Sequence, residues 1–459
     1  MESPLQRLRA RLAGAPLGGR LARGAFWVLC GAAISKGLGV AASVVVARFL
    51  GQEAFGQLGM VQGTVGMLGT FAGFGLSLTA TKHVAELRDR DPARAGRILS
   101  LAFAVSAATG LAMAAGLFAG APWLARHVLA APELGPLLGV MAVSLLLGAM
   151  NDARVGALAG LEEFRAITRV NAQAGLASFP LLTGGVWLGG LAGAMWALVA
   201  VSGLNLCLSQ RALARCCREH GLPLGRPGWS RELPVLWHFS VPALVGCALV
   251  GPVNWACAAL LVNQPGGYRA MGAYSAANQW FNALVFLPWV LGQVLLPMLS
   301  ERLGAAGQAD SRRLVRLSIR LNAAVVWPAV LVLGLLSPLV MGLYGPGFRA
   351  EWPVLAVSLL GAGLVAVQFP AGQVVSASGR MWLGALLNSG WALAFLGFTA
   401  ALIGWGAFGL AFARSAAYLL HGGWTFAVAA WILRTHPAPP VPPLPSVPAV
   451  AETTNPSLT

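Results

Sequence analysis

Charge is what this chain has least of. Of its 459 residues only 10% are Asp, Glu, Lys or Arg, while 57% are hydrophobic. A soluble domain carries about 25% charged residues, so an ordinary water-facing shell is excluded. Acids are scarcer still at fifteen, and Asp152 is the one that falls within a long apolar run. Cysteine offers no framework either. Cys30, Cys207, Cys247 and Cys257 lie in apolar runs as small fillers. Cys216 and Cys217 are adjacent, too close for Cys-x-x-Cys metal spacing. The six histidines are scattered, without metal spacing. No phosphate loop, Ser–His–Asp arrangement or nucleotide fingerprint is found. The expectation is a protein that is not an enzyme and needs no cofactor, driven by an ion gradient, the membrane potential or consumption of its cargo.

Long apolar runs are what the chain does have, with a mean hydropathy of +0.71. Stretches such as 98–120 and 317–341 have about the length that crosses a ~30 Å hydrocarbon core. Backbone polar groups in lipid must pair internally, and these runs lack the alternation of a barrel strand, so they are helices. The fold class expected is all-α integral membrane. Spans are placed at 25–47, 57–81, 98–120, 135–158, 167–188, 191–210, 235–262, 272–299, 317–341, 353–376, 382–403 and 407–432. With a cytoplasmic N-terminus, 25 of the 31 basic residues fall on the cytoplasmic side. Only Arg48, Arg126, Arg269 and Arg349 fall opposite, while Lys36 and Arg414 lie inside spans. The positive-inside rule predicts such a split, so the net charge of +16 belongs to membrane topology rather than nucleic-acid binding. The first run is about 23 residues long with no evident cleavage site, and reads as a retained span. Both termini are expected in the cytoplasm of a bacterial cell, the membrane being the inner one.

The sequence repeats itself at an offset of 216. Ala54-Phe55-Gly56 falls on Ala270-Met271-Gly272, Arg97-Ile98-Leu99 on Arg313-Leu314-Val315, and Gly193 and Ala197 on Gly409 and Ala413. Six spans per half is an even number, so the repeats are parallel, an arrangement transporters use around a central site. The expected organisation is a basic segment 1–23, a six-helix bundle 24–210, a cytoplasmic linker 211–234, a second bundle 235–433 and a disordered Pro-rich tail 434–459. The twelve helices would form two parallel six-helix repeats around a central cavity.

Ionisable groups at mid-membrane are expensive and mark function by default. Lys36 lies about 11 residues from either end of its span, roughly 16 Å at 1.5 Å per residue, too far to snorkel. Ser43 shares its face. Arg414 starts a stripe with Tyr418, His421 and Thr425 at i, i+4, i+7 and i+11. A second stripe runs through Tyr274, Asn278 and Asn282. Two cations without resident acids imply an electropositive chamber suited to an anionic cargo such as a phosphate or pyrophosphate head group, which Arg48 could extend. Asp152 and Arg154, two apart and unable to face each other, are placed in a cytoplasmic gate.

The stretch Ala47-Arg48-Phe49-Leu50-Gly51-Gln52-Glu53-Ala54-Phe55-Gly56, with Gly73-Phe74-Gly75-Leu76 and Thr81-Lys82-His83-Val84-Ala85-Glu86, resembles the opening of polysaccharide-biosynthesis flippases of the O-antigen type. These belong to the multidrug/oligosaccharidyl-lipid/polysaccharide exporter superfamily. Gly160-Leu161-Glu162-Glu163-Phe164 and Gly272-Ala273-Tyr274-Ser275-Ala276-Ala277 extend the resemblance, which covers roughly 20–435. It implies two six-helix bundles in a V and alternating access. The implied cargo is a polyprenyl-pyrophosphate-linked oligosaccharide carried from the inner to the outer leaflet, with cavity cations holding the pyrophosphate. Its implied partners are that anionic lipid-linked sugar, membrane lipids and a polysaccharide polymerase or glycosyltransferases, with no nucleic acid. A small-molecule or drug exporter of the same fold is the alternative, but the first and seventh spans lack an acidic cation site. A lipid II flippase would usually add two C-terminal spans. A non-transporting scaffold beside a sugar polymerase is a third reading.

Overall fold

The computed structural model describes residues 16–73, 75–223, 228–236, 240, 248–305 and 308–435, and these residues form helices without a strand. In order they are α1 (Pro16–Ala72), α2 (Leu76–Leu87), α3 (Pro92–His127), α4 (Leu134–Gly160), α5 (Phe164–Glu219), a 3-10 turn (Trp229–Glu232), α6 (Val250–Val262) and α7 (Gly267–Ala305). There follow α8 (Gln308–Leu335), α9 (Ser337–Tyr344), α10 (Pro346–Arg349), α11 (Trp352–Ala377), α12 (Met381–Leu402), a 3-10 turn (Ile403–Trp405) and α13 (Gly406–Thr435).

Among the described residues seven helical stretches are long and apolar enough to cross a bilayer: Lys36–Ala72, Pro92–His127, Leu134–Gly160, Phe164–Glu219, Ser311–Leu335, Trp352–Ala377 and Met381–Thr435. Where hydropathy predicts separate spans, several are fused pairwise. The 57 residues of α1 would extend about 85 Å as one straight rod. Gly51 breaks it, at φ 76° and ψ 175°. The break in α5 falls at Gly189 and Gly190, and that between α12 and α13 at Gly406. Gly190 (φ 54°, ψ −133°) and Gly406 (φ 62°, ψ −137°) share a conformation open essentially to glycine alone. They are 216 residues apart, the offset seen in the sequence.

Other boundaries differ from the hydropathy pattern for local reasons. The expected span 57–81 stops at Ala72, and α2 starts afresh after Gly75 at φ 65°. The expected span 317–341 divides at Leu336, where Pro338 opens α9. Of the expected span 235–262, residues 237–239 and 241–247 lie outside the described residues. So do 1–15 of the expected basic segment and 436–459 of the expected tail.

Exposed Trp123, Trp187, Trp352 and Trp405 mark one end of the helices, and Trp382 and Trp431 the other, as at the two faces of a bilayer. We name these ends by Arg48 and Arg88. At the Arg88 end the linker is pinned: the buried Glu232 receives Arg94 Nε and Arg97 Nε at 3.2 Å each. Asp91 caps α3 there, accepting from Arg94 N at 2.9 Å.

Helix α1 packs against both α5 and α7. At the Arg48 end its second leg crosses α7 backbone to backbone. A Cβ at Gly56 would lie 1.9 Å from Tyr268 O, and one at Gly272 would lie 2.0 Å from Gln52 O. Each contact is the other's counterpart at the offset of 216. Gly59 likewise meets Ser275, 216 residues on. Small residues permit such an approach in lipid, where packing rather than water exclusion drives association. Gly56→Ala should therefore lower the melting midpoint by about 2–4 °C in scanning fluorimetry of the detergent-solubilised protein. Gly63→Ala, whose Cβ meets nothing within 4 Å, should leave the midpoint in place.

Candidate functional site

Beneath that crossing lies a cavity of 660 Å³ between the two legs of α1, α6 and α7. The first leg of α1 supplies Lys36, Gly39, Val40, Ser43 and Val46, and the second leg supplies Phe55 through Met67. Asn254 and Trp255 come from α6, and Tyr274, Ser275, Asn278, Gln279 and Asn282 from one face of α7. Among the described residues no acidic side chain is in this lining. Lys36 is exposed to the cavity and has no ion-pair partner among the described residues. Ser43 Oγ donates to Val40 O at 2.8 Å and lies 3.4 Å from Tyr344 Oη, itself an acceptor for Trp280 Nε1 at 3.1 Å. Trp255 Nε1 donates to Thr64 Oγ1 at 2.9 Å across the α1–α6 contact.

The Arg48 end of the cavity is sealed. Phe55, Tyr344 and Phe348 pack ring to ring with centroids 5.7–6.2 Å apart. Above them Arg269 Nε donates to Gln52 Oε1 at 3.2 Å. Tyr268 Oη donates to Leu129 O, and Asn263 Nδ2 to Val128 O, both at 2.7 Å.

The structure thus brings Lys36, Ser43, Tyr274, Asn278 and Asn282 to one cavity and disperses the other residues singled out from sequence. Arg48 lies in a separate groove with Arg349, Leu335, Leu339 and Leu343, its Nε donating to Leu343 O at 2.6 Å. The end of its helix leg carries it beyond the aromatic seal. Arg414 is 2% exposed and donates through Nη1 to Asn278 Oδ1 at 2.7 Å, behind the cavity wall. Tyr418 stacks on Trp391 and Phe281. His421 Nδ1 lies 3.4 Å from Gln368 Oε1. The α13 stripe is packed between helices because its face turns to α11, α12 and α7. Asp152 faces Gly73. Arg154 donates to Gln210 Oε1 and Met150 O and lies over Phe103 at 4.8 Å. Both make these contacts within α1–α5 rather than across the cavity mouth. Gln52, Phe55, Trp255, Trp280 and Tyr344 escaped the sequence reading as site residues. The conjunction of aromatic and amide residues beside the repeated Gly56 and Gly272 was the available signal.

A family model described as polysaccharide biosynthesis protein matches residues 21–302, more than half of the chain. The chain is 26% identical over 400 residues to the EPS I polysaccharide export inner membrane protein EpsE of Ralstonia nicotianae, covering 84% of this chain and 89% of that one. Among solved structures it is similar to an inward-facing multidrug resistance MATE family transporter of the MOP superfamily. The TM-score is 0.73 at 14% identity, covering 87% of this chain and 95% of that one. The outward-facing form of a MATE family transporter of that superfamily gives a TM-score of 0.69 at 14% identity, with coverages of 92% and 97%. The fold is that of MOP-superfamily transporters.

One titration is readable outside the bilayer-length helices. His83 lies 3.7 Å from Glu86 at the Arg88 end. Burial holds its pKa below the ordinary 6.5; Glu86 raises it, Lys82 and Arg94 lower it, and Glu232 raises it. The unfolded chain then binds the proton more readily than the folded one. Stability from this group is complete above about pH 6.5 and declines as pH falls below that. His83→Gln should flatten this part of the melting-midpoint profile between pH 7 and 5.5.

Proposed function

The chain belongs to the polysaccharide biosynthesis protein family, and from that membership we propose that it flips a polyprenyl-pyrophosphate-linked oligosaccharide from the inner to the outer leaflet. The observation that carries this reading is the cavity itself. It is 660 Å³ in volume, sets a cation and five amide or hydroxyl side chains of α7 among apolar residues, and has no acid among the described residues of its lining. Lys36 holds the pyrophosphate head group, while Ser43, Tyr274 and Asn282 offer hydrogen bonds to sugar and phosphate oxygens. The polyprenyl tail stays in lipid, so the cavity need accommodate only the polar portion.

Export of polysaccharide at an inner membrane, the role for which the EpsE relative is named, supports this cargo and location. The legs on either side of Gly51, Gly190 and Gly406, with α6 and α7, support twelve crossings in two parallel halves. The self-matching contact of Gly56 with Gly272 supports a pseudo-twofold axis between those halves. The basic excess at the Arg88 end supports cytoplasmic termini. In that orientation the sealed Arg48 end is outermost and the cavity is reached from the cytoplasm. Alternating access would part Phe55 from Tyr344 and Phe348 while closing the Arg88 end, where Asp152 and Arg154 stand. The shared fold with multidrug transporters favours a second reading as a small-molecule exporter.

Mass spectrometry of lipid extracts separates the two. Cells lacking the protein should accumulate a polyprenyl-pyrophosphate-linked oligosaccharide at least several-fold. Wild type and Lys36→Arg should clear it, and Lys36→Ala should not. An unchanged lipid pool together with raised drug sensitivity would replace the flippase with the exporter.

A further inference from the structure

A primary amide presents an acceptor on one side and two donors on the other, and its neighbours decide which faces a ligand. Asn278 has that choice made for it. A guanidinium can only donate, so the 2.7 Å contact from Arg414 Nη1 fixes the bonded Asn278 atom as the carbonyl oxygen Oδ1. The amide nitrogen is directed away from Arg414. Among the described residues no protein acceptor meets Asn278 Nδ2, and it is not among the sealed, unpartnered atoms. Asn278 lines the cavity, so the surface it presents there is a donor.

Arg414 is an unusual residue to find behind that wall. It is 2% exposed, and no carboxylate pairs with it among the described residues. Its Nε and Nη2 have no hydrogen-bond partner. The guanidinium instead lies 4.0 Å from the Phe281 ring centroid and 5.0 Å from that of Tyr274, where the ring faces attract it. The two rings and Asn278 all come from α7, so one cation on α13 touches three groups of a single α7 face, beside the stacking of Tyr418 on Phe281. A buried, sparsely bonded cation is a poor device for stability alone, because an apolar residue would fill the space without its desolvation cost.

We infer that Arg414 is a positioning residue: it orients the Asn278 amide so that Nδ2 donates into the cavity to an anionic oxygen of the cargo's pyrophosphate, facing the same space as Lys36. This inference rests on the transport reading above. It also assigns Arg414 a different part from that of a direct cargo ligand, and the difference is measurable.

The test titrates the purified full-length protein in detergent with farnesyl pyrophosphate, followed by calorimetry, alongside melting midpoints. Arg414→Leu frees the amide to turn and should weaken binding about tenfold, the scale of one hydrogen bond to a charged group. Arg414→Gln keeps a neutral N–H donor toward Oδ1 and should retain binding within about threefold. Asn278→Leu should match Arg414→Leu, and the double variant should be no weaker than either single one. Lys36→Ala should add its loss to each. Equal losses in Arg414→Leu and Arg414→Gln, persisting in the Asn278→Leu background, would make Arg414 a direct charge on the cargo and overturn the inference. Unchanged binding with only a lowered midpoint would make it structural and overturn it equally. Should Arg414→Leu fail to fold, Arg414→Gln with and without Asn278→Leu carries the same comparison. Absence of binding by the wild type would overturn the transport reading and this inference with it, a result distinct from a wild type that binds and variants that do not differ.

Discussion

The backbone crossing of α1 and α7 at Gly56 and Gly272 is the contact from which the rest of the site follows. A side chain at either glycine would collide with a main-chain oxygen, Tyr268 O or Gln52 O. Because the helices touch there, Phe55 reaches Phe348 and Tyr344 and the aromatic seal closes. Past Gly59, which still meets Ser275, a Cβ at Gly63 or Gly66 would meet nothing within 4 Å, and the gap becomes the cavity lined by Gly63, Gly66, Asn278 and Asn282. In lipid no hydrophobic effect presses helices together, so close van der Waals packing must hold the apex. The same small residues that make the apex tight give it little side-chain interdigitation to undo.

Electrostatics divides the molecule differently. Among the described residues the cavity lining has one cation and no acid, so its field rests on that charge and on the orientation of neutral dipoles. Amides are suited to this because they supply donors without adding fixed charge that must be desolvated when the cavity empties. The α7 face carries that chemistry at Tyr274, Asn278 and Asn282, at helical spacing. On the α13 stripe behind it, Arg414 is buried over Phe281, Tyr418 stacks on Phe281 and Trp391, and His421 meets Gln368.

Hydropathy made the helical membrane class legible, and the charge minimum around mid-helix made Lys36 legible. Asn278 and Asn282 were legible from their spacing on one face. What escaped was anything that depends on which way a face turns. Arg48 reads as an outward extension of the Lys36 leg, but sequence spacing does not report that Phe55, Phe348 and Tyr344 close between them. Arg414 and His421 share a polar stripe on α13, and a stripe toward a cavity looks the same in sequence as one toward a neighbouring helix. The break at Gly51 was equally hidden, since a hydropathy average is blind to one backbone torsion. The offset of 216 was visible as scattered matches. Its meaning became physical only when Gly190 and Gly406 took the same glycine-only conformation and Gly56 met Gly272.

The pinned linker sets a polymer-level constraint on all of this. With Glu232 held by Arg94 and Arg97, the chain joining the α1–α5 helices to α6 and beyond is effectively shortened. The attachment continues past residue 232, where the buried Ser240 Oγ lies 2.7 Å from Thr79 Oγ1. Loop-closure entropy changes only slowly with length, but effective concentration rises as a tether shortens toward the span it must bridge. Any separation of the two sets of helices would therefore be confined to a short reach. Loosening Glu232 would lengthen that connection without touching the cavity, since neither it nor Arg94 and Arg97 is in the lining.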